Sequence, residues 1–314
     1  SSPIHRLLST LPLMNLCCGA DDLTCDIDMK HVAKRMRNTL LRTIGTSIDG
    51  VVITRSVLRA HPCDAGMPGS TTDALLDPDD HQDVVLMYRL LGAIVHLPQL
   101  PANPDLFSVN VRRMLWLIGR AYHYVLSAYT NTSLSLHQQL EYPAAASVHI
   151  PIALFMFLQL YRLDRQRFIP SQLYIDIQIM IKNIYFCVVK TKVDNPSGPF
   201  WLLLLGTDRL EKDFGITRSI VGNDSNADLY QLSTRLLAIV LLALILSEHL
   251  EWDRGPRRLH LPANVLADPL AELDNRIDHI NPAAWTGDLR VADVVLCTCW
   301  NKGRELAEAA LAKA

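Results

Sequence analysis

The stretch Leu23–Asn38, LTCDIDMKHVAKRMRN, decides how this chain is read. In its first half Leu23, Cys25 and Ile27 alternate with Thr24, Asp26 and Asp28, the period-two pattern of a half-buried strand. In its second half Met29, Val32, Met36 and Leu40 recur at three- and four-residue spacing. That is the apolar stripe of a helix from about Met29 to Thr43, stopped by Gly45. Asp28 stands at the junction, where two roles fit a carboxylate. It can cap the helix by accepting backbone N–H groups. It can also face the open end of a sheet and hold a divalent cation, with Asp26 as the nearby competitor. Lys30, Lys34, Arg37, His31, Arg35 and Arg42 cover the rest of the helix, either as a solvated face or as a track for a phosphate backbone.

Upstream, Leu11–Cys18 (LPLMNLCC) reads as a second short strand, with a turn at Gly19–Asp22. Downstream the pattern is helical. Helices are expected over about 83–96, 106–129, 146–168 and 171–192, with loops at 62–82 and 98–105. The 171–192 helix carries Leu173, Ile177, Met180, Ile184 and Val188 on one stripe, and Asp176, Lys182 and Lys190 opposite. Phe200–Leu205 is too short for periodicity to separate strand from helix. Further helices are expected at 207–220, 226–250 and 299–313, around an irregular, Pro-rich segment at 251–296.

The 314 residues are 49% hydrophobic and 20% charged, with a mean hydropathy of +0.14, so the chain can bury a sizeable core. Thirty basic against 32 acidic residues give no overall bias toward nucleic acid or an anionic membrane. The longest apolar run, Leu236–Leu246, falls short of the roughly 20 residues of a membrane span and reads as a buried helix. No membrane partner is therefore expected. Residues 1–20 do not read as a secretory leader, because Pro3, His5, Arg6 and Pro12 interrupt the leucines. Seven cysteines without a CxxC pair point to free thiols and an intracellular setting. Cys297 and Cys299 are too close for a usual structural zinc pair. The start at Ser1, without Met, reads as a processed or truncated product.

Among chemical motifs there is no P-loop, GxSxG, HExxH or GxGxxG. One further constellation stands out in Gly206–Arg218. On a helix, Asp208, Glu211, Gly215 and Arg218 share one face, while Leu210, Phe214 and Val221 share another. Gly215 inside a helix costs about 1 kcal/mol relative to Ala, which is compatible with close approach of a ligand or backbone. A solvated face with an intrahelical Asp–Arg or Glu–Arg pair fits the same spacing.

The pattern Asp28-x-x-His31-x-x-Lys34-x-x-Arg37-Asn38 resembles a block of P-element and THAP-type DDE transposases. Leu210-Glu211-x-x-Phe214-x-x-x-Arg218, followed by Gly222-Asn223-Asp224 and Arg235-Leu236, resembles a later block of the same family. The chain is also similar to a set of uncharacterised fungal proteins that share GTDRLE, EWDRGPRRL and DHINPAAW, here at 206–211, 251–259 and 278–285.

The transposase resemblance implies a mostly α (α+β) fold: a partial RNase H-like core interrupted by a large helical insertion. The core would comprise 1–58 and a helical part at 201–250 bearing Glu211, with the insertion at 59–200 and a C-terminal segment at 251–314. By position, Asp28 and Glu211 would be catalytic ligands of Mg²⁺ or Mn²⁺, and Lys30, Lys34, Arg37 and Arg218 would follow a DNA backbone. Two cations clamped by carboxylates neutralise the entering and leaving oxygens of a phosphodiester. The family's first Asp lies upstream of anything present, and Lys212-Asp213 departs from its pattern. The expected protein is thus transposon-derived, nuclear, inactive alone and open to homo-oligomerisation. GTP binding by the insertion is implied by the resemblance only. The alternative is a helical interaction or scaffold protein that kept the fold and lost the chemistry.

Overall fold

A computed structural model describes residues 2–48, 51–77, 84–100, 102–161, 169–207, 228–249, 252 and 284–313. Among these the fold is mostly helical, with one two-stranded antiparallel sheet. In chain order the elements are α1 (Pro3–Leu8), α2 (Met29–Leu41), β1 (Thr46–Ile48), β2 (Val51–Ile53), α3 (Arg55–Asp64), α4 (Gly69–Leu75) and α5 (Val84–Val95). Then come α6 (Leu106–Thr130), α7 (Leu136–Tyr161), α8 (Ser171–Asp194), α9 (Leu229–Glu248) and α10 (Leu296–Lys313). Two compact units result: Ser1–Leu205 with Leu261–Ala314, and Gly206–His260.

The mostly helical expectation holds, but no RNase H core is present among the described residues. Leu11–Cys18 and Leu23–Asp28 are not strands. Leu13 sits at φ +62°, in a region no strand residue occupies, and its side chain is exposed. Leu23 and Cys25 face solvent while Ile27 of the same alternating set packs against the core, so the alternation at 23–28 does not sort one side into the core. A strand further needs a neighbour for its N–H and C=O groups, and none lies beside this segment among the described residues. The observed sheet lies instead just past α2, pairing Thr46 with Ile53 and Ile48 with Val51. Gly45 enters it at φ +71°, where a Cβ would lie 2.8 Å from the Ile53 carbonyl oxygen. The position therefore admits glycine on two grounds.

The core of the first unit is a set of helices crossing at small residues. On α2, Val32, Met36 and Leu40 are buried as their spacing predicts. On α8, the five-residue stripe from Leu173 to Val188 is buried throughout. Long α6 and α7 run through the centre. Gly119 of α6 lets it approach Val95 and Ile94 of α5, since a Cβ there would lie 2.9 and 3.0 Å from their methyls. Gly303 of α10 meets α7 more closely: a Cβ would lie 2.5 Å from the Glu141 carbonyl and 2.4 Å from Ala144 Cβ.

Two boundaries differ from expectation. Helix α7 starts at Leu136 rather than near 146. Ser135 and Gln138 form a reciprocal capping pair, the Gln138 amide N–H donating to Ser135 Oγ and the Ser135 N–H to Gln138 Oε1. Pro143 is carried inside the helix. The expected loop at 62–82 contains the end of α3 and all of α4. Residues 284–295 are irregular, as expected for the C-terminal segment, and are held by named bonds. The Leu136 N–H donates to the Asp288 carbonyl and Val291 N–H to Gly198. Lys192 Nζ donates to the carbonyls of Val291, Ala292 and Val294.

In the second unit only α9 is described at length. Asp228 caps it, accepting from the Gln231 N–H at 2.7 Å. The expectation that this apolar run is buried is not met. Leu236, Leu237, Val240, Leu241, Leu244 and Ile245 are exposed, while Ile239 is buried. By length and composition Leu229–Leu246 suffices to cross a membrane, with a mean hydropathy of 2.0.

Candidate functional site

Asp28 has a definite local role. Its side chain caps α2, with Oδ1 accepting from the Lys30 N–H at 2.7 Å. His31 Nδ1 lies 3.9 Å from Oδ2. The carboxylate is buried and belongs to no cluster of three metal-ligating groups among the described residues. Tyr129 of α6 is buried, and burial followed by the charges of Asp26 and Asp28 holds its phenol well above the ordinary range.

Glu211 and Arg218, with the rest of 208–227, lie outside the described residues. Lys30 and Lys34 are half-buried on α2. Arg37 is turned inward instead of toward a nucleic acid, and its guanidinium donates to the Leu75 and Asp77 carbonyls. Arg42 Nε donates to the Gly45 carbonyl at 2.7 Å. Arg35 pairs with Asp176 of α8, a carboxylate that the helical pattern had assigned to the exposed face but that is almost fully buried.

A different cluster gathers at the N-terminus. His5 of α1, Cys18 and Asp22 place one ligand atom each within 4.8 Å of the others. His5 Nδ1 lies 3.4 Å from Asp22 Oδ1, and Cys18 Sγ lies 3.7 Å from the same oxygen. The turn that delivers Asp22 is closed by the Gly19 N–H donating to the Leu23 carbonyl at 2.8 Å. A hydrogen bond from Ser2, with contributions from His5 and Cys18, holds the Asp22 carboxyl below its usual range. Partial burial and then Asp22 push the Cys18 thiol up. The His5 ring stands edge-on to Phe186 of α8, 6.3 Å between centroids. Sequence spacing missed this group because His5 is on a separate element, and Cys18-x-x-x-Asp22 alone matches no familiar ligand pattern.

No family model, curated protein or solved structure matches the chain.

Proposed function

We propose that this chain acts by binding, as a helical interaction protein that does not itself perform two-metal chemistry. The observation that carries this reading is the use made of Asp28. Its carboxylate answers an N–H at the start of α2 and is buried there, whereas a catalytic carboxylate must present its oxygens to a cation between two elements. The exposed apolar residues of α9 supply a surface for binding.

The competing reading is a transposon-derived remnant of a DDE transposase with a partial RNase H-like core. The order of the Asp28 and Glu211 blocks around a helical stretch supports it. In that reading Asp28 and Glu211 hold Mg²⁺ or Mn²⁺, Lys30, Lys34 and Arg218 follow DNA in the nucleus, and the insertion takes GTP.

Two substitutions at one position separate the readings. Asn caps a helix about as well as Asp, whereas Ala loses about 0.5–2 kcal/mol. Asp28→Asn is therefore expected to melt close to the parent and Asp28→Ala measurably lower, with no rise in melting temperature on adding Mg²⁺ or Mn²⁺. A divalent-ion shift in the parent that disappears in both Asp28→Asn and Glu211→Gln would instead favour the transposase reading, since a ligand of the folded state raises stability by mass action.

A further inference from the structure

We infer that His5, Cys18 and Asp22 form a binding site for a borderline-soft divalent transition metal, with Zn²⁺ as the natural occupant and a fourth coordination place left to solvent or an added donor. The site shares no residue with Asp28 or Glu211 and does not depend on the function proposed above.

The distances carry the argument. Zinc takes imidazole nitrogen at about 2.0–2.1 Å, carboxylate oxygen at about 2.0–2.2 Å and thiolate at about 2.3 Å in a tetrahedron, whose N···O edge is then about 3.4 Å and S···O edge about 3.6 Å. The corresponding separations here are 3.4 Å for His5 Nδ1 to Asp22 Oδ1 and 3.7 Å for Cys18 Sγ to Asp22 Oδ1. The remaining pair, sulfur and nitrogen, lies within 4.8 Å. Two edges of the polyhedron are thus already at coordination length, and the third must close on binding from within 4.8 Å to about 3.6 Å.

The donor set decides the class of metal. One nitrogen, one sulfur and one oxygen disfavour Mg²⁺ and Ca²⁺, which take oxygen, and suit Zn²⁺ or Co²⁺. The surroundings orient the ligands as outer partners of a metal site do. The Phe186 ring stands edge-on to His5. All three ligands are half-buried, which limits solvent competition while leaving a path for entry. Two negative ligands, the Cys18 thiolate and the Asp22 carboxylate, balance the charge of the cation. On binding, the thiol proton leaves to solvent and the sulfur lone pair bonds the metal, with no change of oxidation state.

The test uses the full chain and Co²⁺ as the probe. Expected is one equivalent bound, with a thiolate-to-cobalt charge-transfer absorption and the intense visible bands of a tetrahedral ion, both displaced by Zn²⁺. Cys18→Ser should abolish the charge-transfer band. His5→Gln and Asp22→Asn should weaken binding by more than the roughly 10–100-fold that follows loss of an outer-shell partner. Cys25→Ser, a change at an exposed thiol outside the cluster, should leave the spectrum unaltered. Circular dichroism of each variant checks that the helices persist. Absence of a charge-transfer band in the folded parent, or its survival in Cys18→Ser, would overturn the assignment.

Discussion

His61 and Asp176 show how single polar groups here are fixed by their neighbours. The Nδ1 of His61 accepts from Arg112 Nε at 3.0 Å, and Arg112 also donates to the His61 carbonyl. A protonated ring would set donor against donor. Burial, and then the Arg112 charge, accordingly hold His61 below its ordinary 6.5, opposed by Asp64 and Asp105. A histidine whose folded value is depressed contributes stability that is present above 6.5 and is lost as pH falls through the folded value. Melting temperature is thus expected to drop on acidification below pH 6.5. His61→Gln should flatten that slope in a thermal-melt series across pH 5–8. Asp176 is the opposite case, a buried carboxylate held by Arg35 and by Gln172 Nε2 at 2.8 Å. Removing a partner from a buried pair costs about 3–5 kcal/mol because a charge is left behind. Arg35 is half exposed, which reduces that figure, so Arg35→Ala is expected at or below the lower end in urea denaturation. Asp176→Asn, which leaves no buried charge, should be milder.

Two helices meet closely at Gly303 of α10 on α7. Ala144 and Ala145 line the facing side and are fully buried. The atoms a Cβ would strike include the backbone Glu141 oxygen at 2.5 Å and Ala145 nitrogen at 2.7 Å, which cannot swing aside as a side-chain tip can. Gly303→Ala would add about 1 kcal/mol of helix propensity, but overpacking of this kind typically costs about 1–3 kcal/mol and occasionally more. The expected net outcome is destabilisation by chemical denaturation, with α7 and α10 forced apart. The sequence shows α10 as a helix but not this crossing, because spacing reports a helix's apolar face and not which partner meets it. The same boundary explains the other outcomes. The stripes of α2 and α8 were legible because each is a continuous run at helical spacing. The start of α7 was missed, because Pro143 interrupts the helical pattern and the Ser135–Gln138 cap shows itself only in the fold. The pairing of Arg35 with Asp176 was not legible, since it joins positions 141 apart in the chain. At 23–28, alternation alone suggested a strand, yet a strand exists only when a partner edge is present. Of the two roles that the sequence left open for Asp28, the helix cap is visible at the head of α2, while the His5–Cys18–Asp22 group needed the fold to bring α1 to the Gly19–Leu23 turn.

At the scale of the molecule, the unusual property is the amount of apolar surface carried by α9. Leu237, Leu241 and Leu244 stand at helical spacing and are all about half exposed or more, at 68%, 52% and 56%. Leu236, Val240 and Ile245 widen the same surface. A soluble chain seldom displays a contiguous apolar patch of this kind without using it. At about 25 cal/mol per Å² of apolar area removed from water, covering even part of it rewards association. The near-neutral net charge of -2 provides little repulsion to oppose it. A second copy offers the same leucine row in return, which is what a symmetric helix pair requires. The full chain is therefore expected to run above its 35.2 kDa monomer mass in a concentration-dependent way by light scattering. Leu237→Glu with Leu241→Glu, two charges placed on the exposed row away from the buried Ile239, should return it toward the monomer while leaving its circular dichroism intact. The length of the same helix makes a bilayer the rival cover, and the two are separable. Flotation of the parent with neutral phosphatidylcholine vesicles, abolished by the same double substitution, together with monomeric behaviour in buffer, would assign the surface to lipid instead of to a second copy.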